Sequence, residues 1–67
     1  MEIILNNRVE KFEKSSMTIR ELLAEKKYTF KMLVIKINNK LVRKEEYDTA
    51  TFSDGDNVSV IHLISGG

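Results

Sequence analysis

The 67-residue chain contains no cysteine, no proline and no tryptophan. Without cysteine it can form neither a disulfide nor a thiolate metal site, so aliphatic and phenylalanine side chains have to stabilise the fold by packing. A chain of this length buries only about 60% of the surface that it exposes when unfolded. The sequence therefore predicts one small domain, residues 1–67, with a limited core and no cysteine-based catalysis.

The chain also lacks a large excess of one charge and any long apolar run. Eleven Lys and Arg against ten Asp and Glu leave a net charge of +1, far from the excess typical of nucleic-acid-binding proteins. Its longest apolar runs, such as residues 32–35, are much shorter than the roughly 20 residues that cross a bilayer. No basic segment precedes an apolar stretch at the N-terminus. We therefore expect a cytoplasmic protein that binds neither nucleic acid nor a membrane.

Apolar and polar residues alternate on both sides of Asn6-Asn7. Asparagine tolerates the left-handed backbone of a tight turn, so this pattern predicts a β-hairpin. Alternation returns at residues 33–38 and continues, after a second Asn-Asn pair, into a shorter strand. Gly55 then marks a turn before a last apolar strand.

A change of period to 3.6 residues predicts one amphipathic helix within residues 17–27. Thr18 and Glu21 have the spacing of a capping box, which indicates where the helix begins. Lys26 and Lys27 follow the last apolar residues of the pattern, where they are expected to meet the negative end of the helix dipole.

Two strands, a helix, two strands and a final strand predict an α+β fold. One helix covers only one face of a sheet, so the expected architecture is a mixed sheet of four to five strands with the helix packed across one face.

The other face of this sheet is a candidate docking surface. If Val58 and Val60 face the helix, strict alternation directs Ile61 and Leu63 to the opposite face, together with Val34 of a neighbouring strand. Clustered aliphatic side chains on an open face favour a partner-binding role. The alternative is ordinary exposure, because much of any protein surface is apolar.

The C-terminal residues "SGG" predict a flexible tail over residues 65–67, because glycine loses more backbone freedom on ordering than any other residue. Fully extended, Ser65, Gly66 and Gly67 would reach about 10 Å beyond the last strand. The Gly67 carboxylate is a nucleophile that can attack the α-phosphate of ATP and become an activated acyl group. The sequence shows no ATP site, so another enzyme would supply one. The alternative is a frayed end or an expression remnant.

Other polar residues suggest no catalytic site. His62 is the single histidine, so it is expected to be structural rather than a metal ligand. The acidic residues match no calcium-binding loop and are expected to be solvated turn residues. Arg8, Arg43 and Lys44 would suit docking to an acidic groove on an adenylating enzyme, with ordinary solvation as the alternative.

Several segments in combination identify a resemblance that spans the whole chain: "TIRELL", "INNKLVR", the aromatic Tyr47, "DGD" and the final "GG". They resemble the ThiS family of sulfur carriers, which have the ubiquitin-like β-grasp fold. Many members have Trp where Tyr47 stands, and Tyr preserves a flat aromatic ring.

The resemblance implies a co-substrate and not an enzyme, with no bound cofactor. A ThiF-like adenylyltransferase would use ATP to adenylate Gly67, a cysteine desulfurase route would supply sulfur for a thiocarboxylate, and a ThiG-like thiazole synthase would receive it.

Three alternatives remain open. The MoaD family of molybdopterin synthesis has a similar fold and final glycines, but its members tend to carry prolines before them, whereas this chain ends in "HLISGG". The other two are a ubiquitin-like modifier of lysines and a β-grasp interaction module with an idle tail.

Overall fold

The computed structural model describes residues 1–29 and 31–63. Its elements, in chain order, are β1 (Glu2–Leu5), β2 (Arg8–Lys11), β3 (Ser16–Thr18), α1 (Ile19–Glu25), β4 (Leu33–Ile37), β5 (Lys40–Val42), a short 3-10 helix (Lys44–Glu46), β6 (Thr51–Ser53) and β7 (Asn57–His62). The predicted succession of two strands, helix, two strands and final strand is confirmed. Strands β3 and β6 were not predicted.

Five strands form the main sheet in the order β2-β1-β7-β4-β5. Strand β7 lies in the middle, parallel to β1 and antiparallel to β4, and the two hairpins β1-β2 and β4-β5 form the edges. The predicted mixed sheet is therefore confirmed. Strands β3 and β6 pair with each other in a separate two-stranded ribbon, in which the buried residues Met17 and Phe52 are partners.

Both Asn-Asn pairs form the tight turns that were predicted. Asn6 and Asn7 have φ of 49° and 69°, and Asn38 and Asn39 have φ of 50° and 71°. Positive φ at both central residues defines the hairpin turn whose twist matches that of paired strands. Gly55 also has a positive φ, 86°, in the turn before β7.

The start of α1 is also as predicted. The Glu21 amide donates to the Thr18 hydroxyl (3.1 Å), and the Thr18 amide donates to the Glu21 carboxylate (2.9 Å). This reciprocal capping box satisfies amide groups that the first turn of a helix leaves without partners. The helix then spans only seven residues.

The end of α1 differs from the expectation. Lys27 has a φ of 57°, and the amides of Lys27 and Tyr28 donate to the carbonyls of Ala24 (3.2 Å) and Leu23 (2.8 Å). This is a Schellman motif with lysine where glycine is usual. The Lys26 ammonium binds the Glu10 carboxylate of β2 at 2.6 Å. Lys26 is the C-cap residue of α1 and also forms an ion pair with the sheet, and its interaction with the helix dipole stays a prediction.

The core lies between α1, the ribbon and one face of the main sheet. The side chain of Val58 is fully buried and that of Val60 is nearly so, which confirms the alternation predicted for β7. The other buried apolar residues are Ile3, Leu5, Met17, Ile19, Leu22, Ile35, Val42, Tyr47 and Phe52.

Candidate functional site

The functional site predicted from the sequence begins at the end of β7. This strand has neighbours on both sides, and the Leu63 amide donates to the Met32 carbonyl at 3.0 Å just beyond it. The scaffold therefore determines where residues 64–67 begin. Ser65, Gly66 and Gly67, the predicted tail and reactive carboxylate, lie outside the described residues.

The three predicted docking residues are brought together around this point. Val34 and Ile61 are partners in the antiparallel pair of β4 and β7, so their side chains project from the same face of the sheet. Ile61 and Leu63 are 52% and 44% exposed, whereas Val34 is half-buried. Exposure on one open face agrees with the predicted surface, and whether a partner binds it stays a prediction.

Two further apolar side chains that were not predicted belong to this surface. Met32 precedes β4 and is 50% exposed, and Leu41 on β5 is 58% exposed. Leu41 could have been identified by alternation, because successive residues of a strand face opposite sides and its neighbour Val42 is buried in the core. Met32 lies outside the strand pattern, so only its contact with the end of β7 reveals it.

These side chains border a groove between the start of β4 and the end of β5. The pairing of the two strands runs from the Ile35–Val42 pair to the Asn38-Asn39 turn. The groove lies beyond the Ile35–Val42 pair, at the end of the hairpin that is away from the turn. We call it the tail-base groove. Its exposed and half-buried aliphatic residues are Met32, Leu33, Val34, Leu41 and Leu63, and its charged residues are Lys31, Arg43, Lys44 and Glu45.

The opposite end of β7 is tied down by hydrogen bonds. The Asp56 carboxylate accepts from the Ser53 amide (2.8 Å) and the Asn38 side-chain amide (3.0 Å). The Ser53 bond, followed by the Asn38 bond, holds the pKa of Asp56 below its usual range. The Asn57 amide donates to the Asn38 side-chain oxygen at 2.9 Å. The acidic turn residue Asp56 is thus a structural clamp.

The described part of the chain shows neither a cluster of metal-ligating side chains nor a helix that could cross a membrane. His62 is exposed at the end of β7. Over residues 1–29 and 31–63, no three His, Asp or Glu side chains are grouped so that they could hold a metal ion. The one α-helix in the same ranges is too short and too polar to span a membrane.

A mixed five-stranded sheet with β7 at its centre and one capped helix across one face together define a ubiquitin-like β-grasp protein. The model of the ThiS family matches residues 3–67, so the chain belongs to the ThiS family.

Individual relatives agree with this assignment. The chain is 30% identical over 63 residues to the sulfur carrier protein ThiS of Bacillus subtilis (strain 168), which covers 94% of this chain and 96% of the relative. It matches the crystal structure of the thiamine biosynthesis protein ThiS from Geobacter metallireducens with a TM-score of 0.89 and 25% identity over all of both chains. An NMR structure of a thiamine biosynthesis protein from the same organism gives 0.79 and 25%, over 100% of this chain and 88% of that one.

Family membership confirms the resemblance inferred from the sequence and the β-grasp fold. The family is one of small carrier proteins, so the prediction that this chain is not itself an enzyme is also confirmed.

Proposed function

We propose that this protein carries sulfur for the formation of the thiazole ring in thiamin biosynthesis, with the Gly67 carboxyl group as the point of attachment. One observation carries the proposal: the family match runs from residue 3 through Gly67 and therefore includes the final glycines. The names of the relatives, a sulfur carrier and thiamine biosynthesis proteins, support the class of cargo and the pathway.

The proposed cycle begins with adenylation. A carboxylate oxygen of Gly67 attacks the α-phosphorus of ATP on a ThiF-like adenylyltransferase, pyrophosphate leaves, and an acyl-adenylate forms. The carrier needs no cofactor of its own, because the partner enzyme binds the ATP. Use of ATP implies a cytoplasmic location.

Sulfur enters in the next step. A protein persulfide supplied by a cysteine desulfurase attacks the acyl carbon and AMP leaves, which produces an acyl disulfide. A thiol then cleaves the sulfur–sulfur bond, a disulfide is released, and Gly67 retains a thiocarboxylate. A ThiG-like thiazole synthase takes the sulfur, and hydrolysis restores the carboxylate.

The scaffold and the last residues would contribute separately to this cycle. Gly66 and Gly67 have no Cβ, so they can enter a narrow channel and leave the acyl carbon open to attack. Four residues beyond Leu63 span at most about 14 Å. An enzyme that reaches Gly67 must therefore approach the end of β7, where Ile61, Leu63 and Val34 are the proposed docking residues.

Intact-mass spectrometry tests the attachment point. After incubation with the cognate adenylyltransferase, ATP and a sulfur source, we expect the carrier to gain the mass difference between one sulfur and one oxygen atom. A variant with one alanine added after Gly67 should show no gain while keeping the same circular dichroism spectrum. Sulfur transfer to the extended variant would rule out Gly67 as the site.

The same preparation separates the alternative functions. Sulfur delivery to thiazole synthase, measured as thiazole product, supports the proposal, whereas delivery to molybdopterin synthase alone would assign the protein to the other pathway. Attachment to lysines of other proteins would indicate a modifier, and no mass change at all would indicate an idle tail.

Docking is tested by introducing aspartate at one of two exposed residues of the main sheet, Ile61 or Val9, and comparing how strongly each variant binds the adenylyltransferase. Ile61→Asp should weaken binding to the adenylyltransferase at least about tenfold, because it places a charge within an apolar contact. Val9 is 58% exposed on β2, at the far edge of the sheet, so Val9→Asp is the matched control and should leave affinity unchanged. Equal affinity of the two variants would remove Ile61 from the docking surface.

A further inference from the structure

Positive charge is concentrated in one segment of this nearly neutral chain. Residues 26–44 contain seven of the eleven Lys and Arg and no Asp or Glu, and all ten acidic residues lie outside that segment. In the fold, residues 33–42 of this segment form the β4-β5 hairpin at one edge of the main sheet. The net charge of +1 thus hides a strongly basic edge.

Five of these cations lie on or beside the hairpin, and all are exposed. We call them the hairpin cations: Lys31, Lys36, Lys40, Arg43 and Lys44.

Among the described residues, ion pairs involve four of the six cations outside this group and none of the hairpin cations. Over residues 1–29 and 31–63, the four ion pairs within 4.0 Å are Lys11–Glu2, Lys14–Glu21, Arg20–Asp48 and Lys26–Glu10. Four cations elsewhere in the chain therefore have carboxylate partners, whereas no hairpin cation has one among the described residues. Their charge is left available for a partner.

Three hairpin cations border the apolar groove at the end of β7. Lys31, Arg43 and Lys44 line the tail-base groove beside its five exposed and half-buried aliphatic side chains, and Glu45 is the one carboxylate among its described lining residues. Lys36 is the strand partner of Leu41, which extends the positive charge along the same sheet face. The surface therefore has an apolar centre and a cationic rim.

We propose, on the basis of the carrier function proposed above, that the hairpin cations and the tail-base groove form an electrostatic docking surface for the adenylating enzyme. The complementary surface on that enzyme has carboxylates around an apolar centre. A tail of about 14 Å at most brings the body of any enzyme acting on Gly67 against this groove. The groove's cations then become part of the interface.

The chemistry of the surface favours a protein partner over nucleic acid. A phosphate backbone would neutralise the cations but leave the aliphatic side chains of the groove uncovered, whereas a protein surface can satisfy both. Exposed charges at the rim of an interface mainly accelerate association and select the partner, while the apolar centre slows dissociation. Removing the cations should therefore reduce productive encounter without changing the chemistry at Gly67.

The test measures carrier-dependent exchange of pyrophosphate into ATP by the cognate adenylyltransferase. The double variant Arg43→Glu/Lys44→Glu should raise the KM for the carrier at least about tenfold at low salt and leave kcat within about twofold. The increase should shrink at roughly 0.5 M salt, where the Debye length is only a few ångströms. The control Lys11→Glu/Lys14→Glu has the same change in net charge, at the end of β2 and in the turn that follows it, and should leave KM unchanged.

The milder pair Arg43→Gln/Lys44→Gln guards against loss of folding, because it removes charge without placing carboxylates beside Glu45 and Glu46. It should raise KM in the same direction by a smaller factor. Equal KM changes in the hairpin and control variants, or no change in either, would overturn the docking surface while leaving the carrier function standing.

Two other outcomes would also contradict the proposal. Salt-sensitive binding of a single-stranded oligonucleotide that depended on Arg43 and Lys44 would identify nucleic acid as the partner. No exchange with the wild-type carrier would contradict the carrier function itself, and the docking surface with it.

Discussion

At its first residue β7 is enclosed by hydrogen bonds, whereas at its last residue it meets aliphatic and cationic side chains. The Asn57 carbonyl accepts from the Asn38 amide at 2.7 Å, and the neighbouring Asp56 carbonyl accepts from the Ile4 amide at 3.0 Å. At the other end, Leu63 pairs with Met32 beside the tail-base groove. One strand thus connects a polar clamp to an apolar, basic surface.

The change between the two ends occurs where β1 ends. The Asn6 amide donates to the Val58 carbonyl at 3.0 Å, and the Asn6 side-chain oxygen accepts from the Val60 amide at 2.8 Å. The Asn6 side chain therefore adds one hydrogen bond between β1 and β7 beyond those of the backbone, while the Asn6 backbone forms the hairpin turn. Beyond Val60, the described strand pairing of β7 is with β4.

The two different ends of β7 allow so small a domain to serve as a scaffold and also to present a surface. Polar groups at the clamp satisfy one another and leave little to attract a partner. Aliphatic side chains and the hairpin cations at the other end remain accessible, so they can contribute binding energy and steering. The hydrogen bonds at the start of β7 hold the strand in place and thereby keep its exposed end in a defined position.

The largest expected difference between the two ends is in folding. Val58→Asp would bury a charge in the core, at a cost of several kcal/mol, comparable with the roughly 3–5 kcal/mol that a domain of this size has available. We expect the variant to lose its cooperative thermal transition by circular dichroism. Ile61→Asp, three residues later and 52% exposed, should retain it. A cooperative transition in both variants would contradict the burial of Val58.

A smaller effect is expected from the clamp itself. Asp56→Ala removes the acceptor of two hydrogen bonds and should lower the free energy of unfolding by about 1–3 kcal/mol, measured by urea denaturation. Glu45→Ala, which removes an exposed carboxylate at the other end, should change it by less than about 0.5 kcal/mol. Similar losses in the two variants would show that the clamp does not stabilise the fold.

The clamp should also make stability depend on pH. Because hydrogen bonds from Ser53 and Asn38 lower the pKa of Asp56 in the folded state, its stabilisation is present above the unfolded pKa, near 4. It is lost as the pH falls from about 4 through the lower folded pKa. Urea denaturation at several pH values should show a shallower acid loss in Asp56→Asn than in the wild type.

A second carboxylate limits how flat the acid dependence of the variant can become. The hydrogen bond from Lys14, followed by that from Thr18, lowers the pKa of Glu21, so part of the acid loss should persist in Asp56→Asn. Identical pH profiles of the wild type and the variant would contradict a stabilising role of the ionised Asp56.

The smallest effect is expected at the docking surface. Leu41→Ser should change the free energy of unfolding by less than about 0.5 kcal/mol, because Leu41 is 58% exposed. Leu5→Ser, at a buried position on β1, is the control and should cost at least about 2 kcal/mol. Comparable losses measured by urea denaturation would show that Leu41 is packed within the fold.

Local patterns allowed much of the fold to be predicted. The capping box of Thr18 and Glu21, the two Asn-Asn turns and the alternation in β7 are each contained within a few neighbouring residues, so the sequence displays them directly. The ribbon of β3 and β6 could not be recognised, because strands of three residues are too short to show alternation and their pairing joins distant segments.

The docking surface was predictable only in part. Alternation placed Ile61 and Leu63 on the open face, but Met32 joins them through a contact across strands. The run of cations in residues 26–44 is visible in the sequence. Whether each cation forms an ion pair, however, depends on its distance from a carboxylate in the folded protein. Lys26 reaches Glu10 on β2, whereas the hairpin cations reach no carboxylate among the described residues.

The order of residues alone specified the helix start, the tight turns, the inward and outward faces of β7 and the family, because each depends on short-range geometry or on motifs read along the chain. The assembled tertiary structure was needed to bring Asn38 to Asp56, Asn6 to Val60 and the groove to the end of β7. These contacts join residues up to 54 positions apart, and only packing of the sheet determines which distant groups meet.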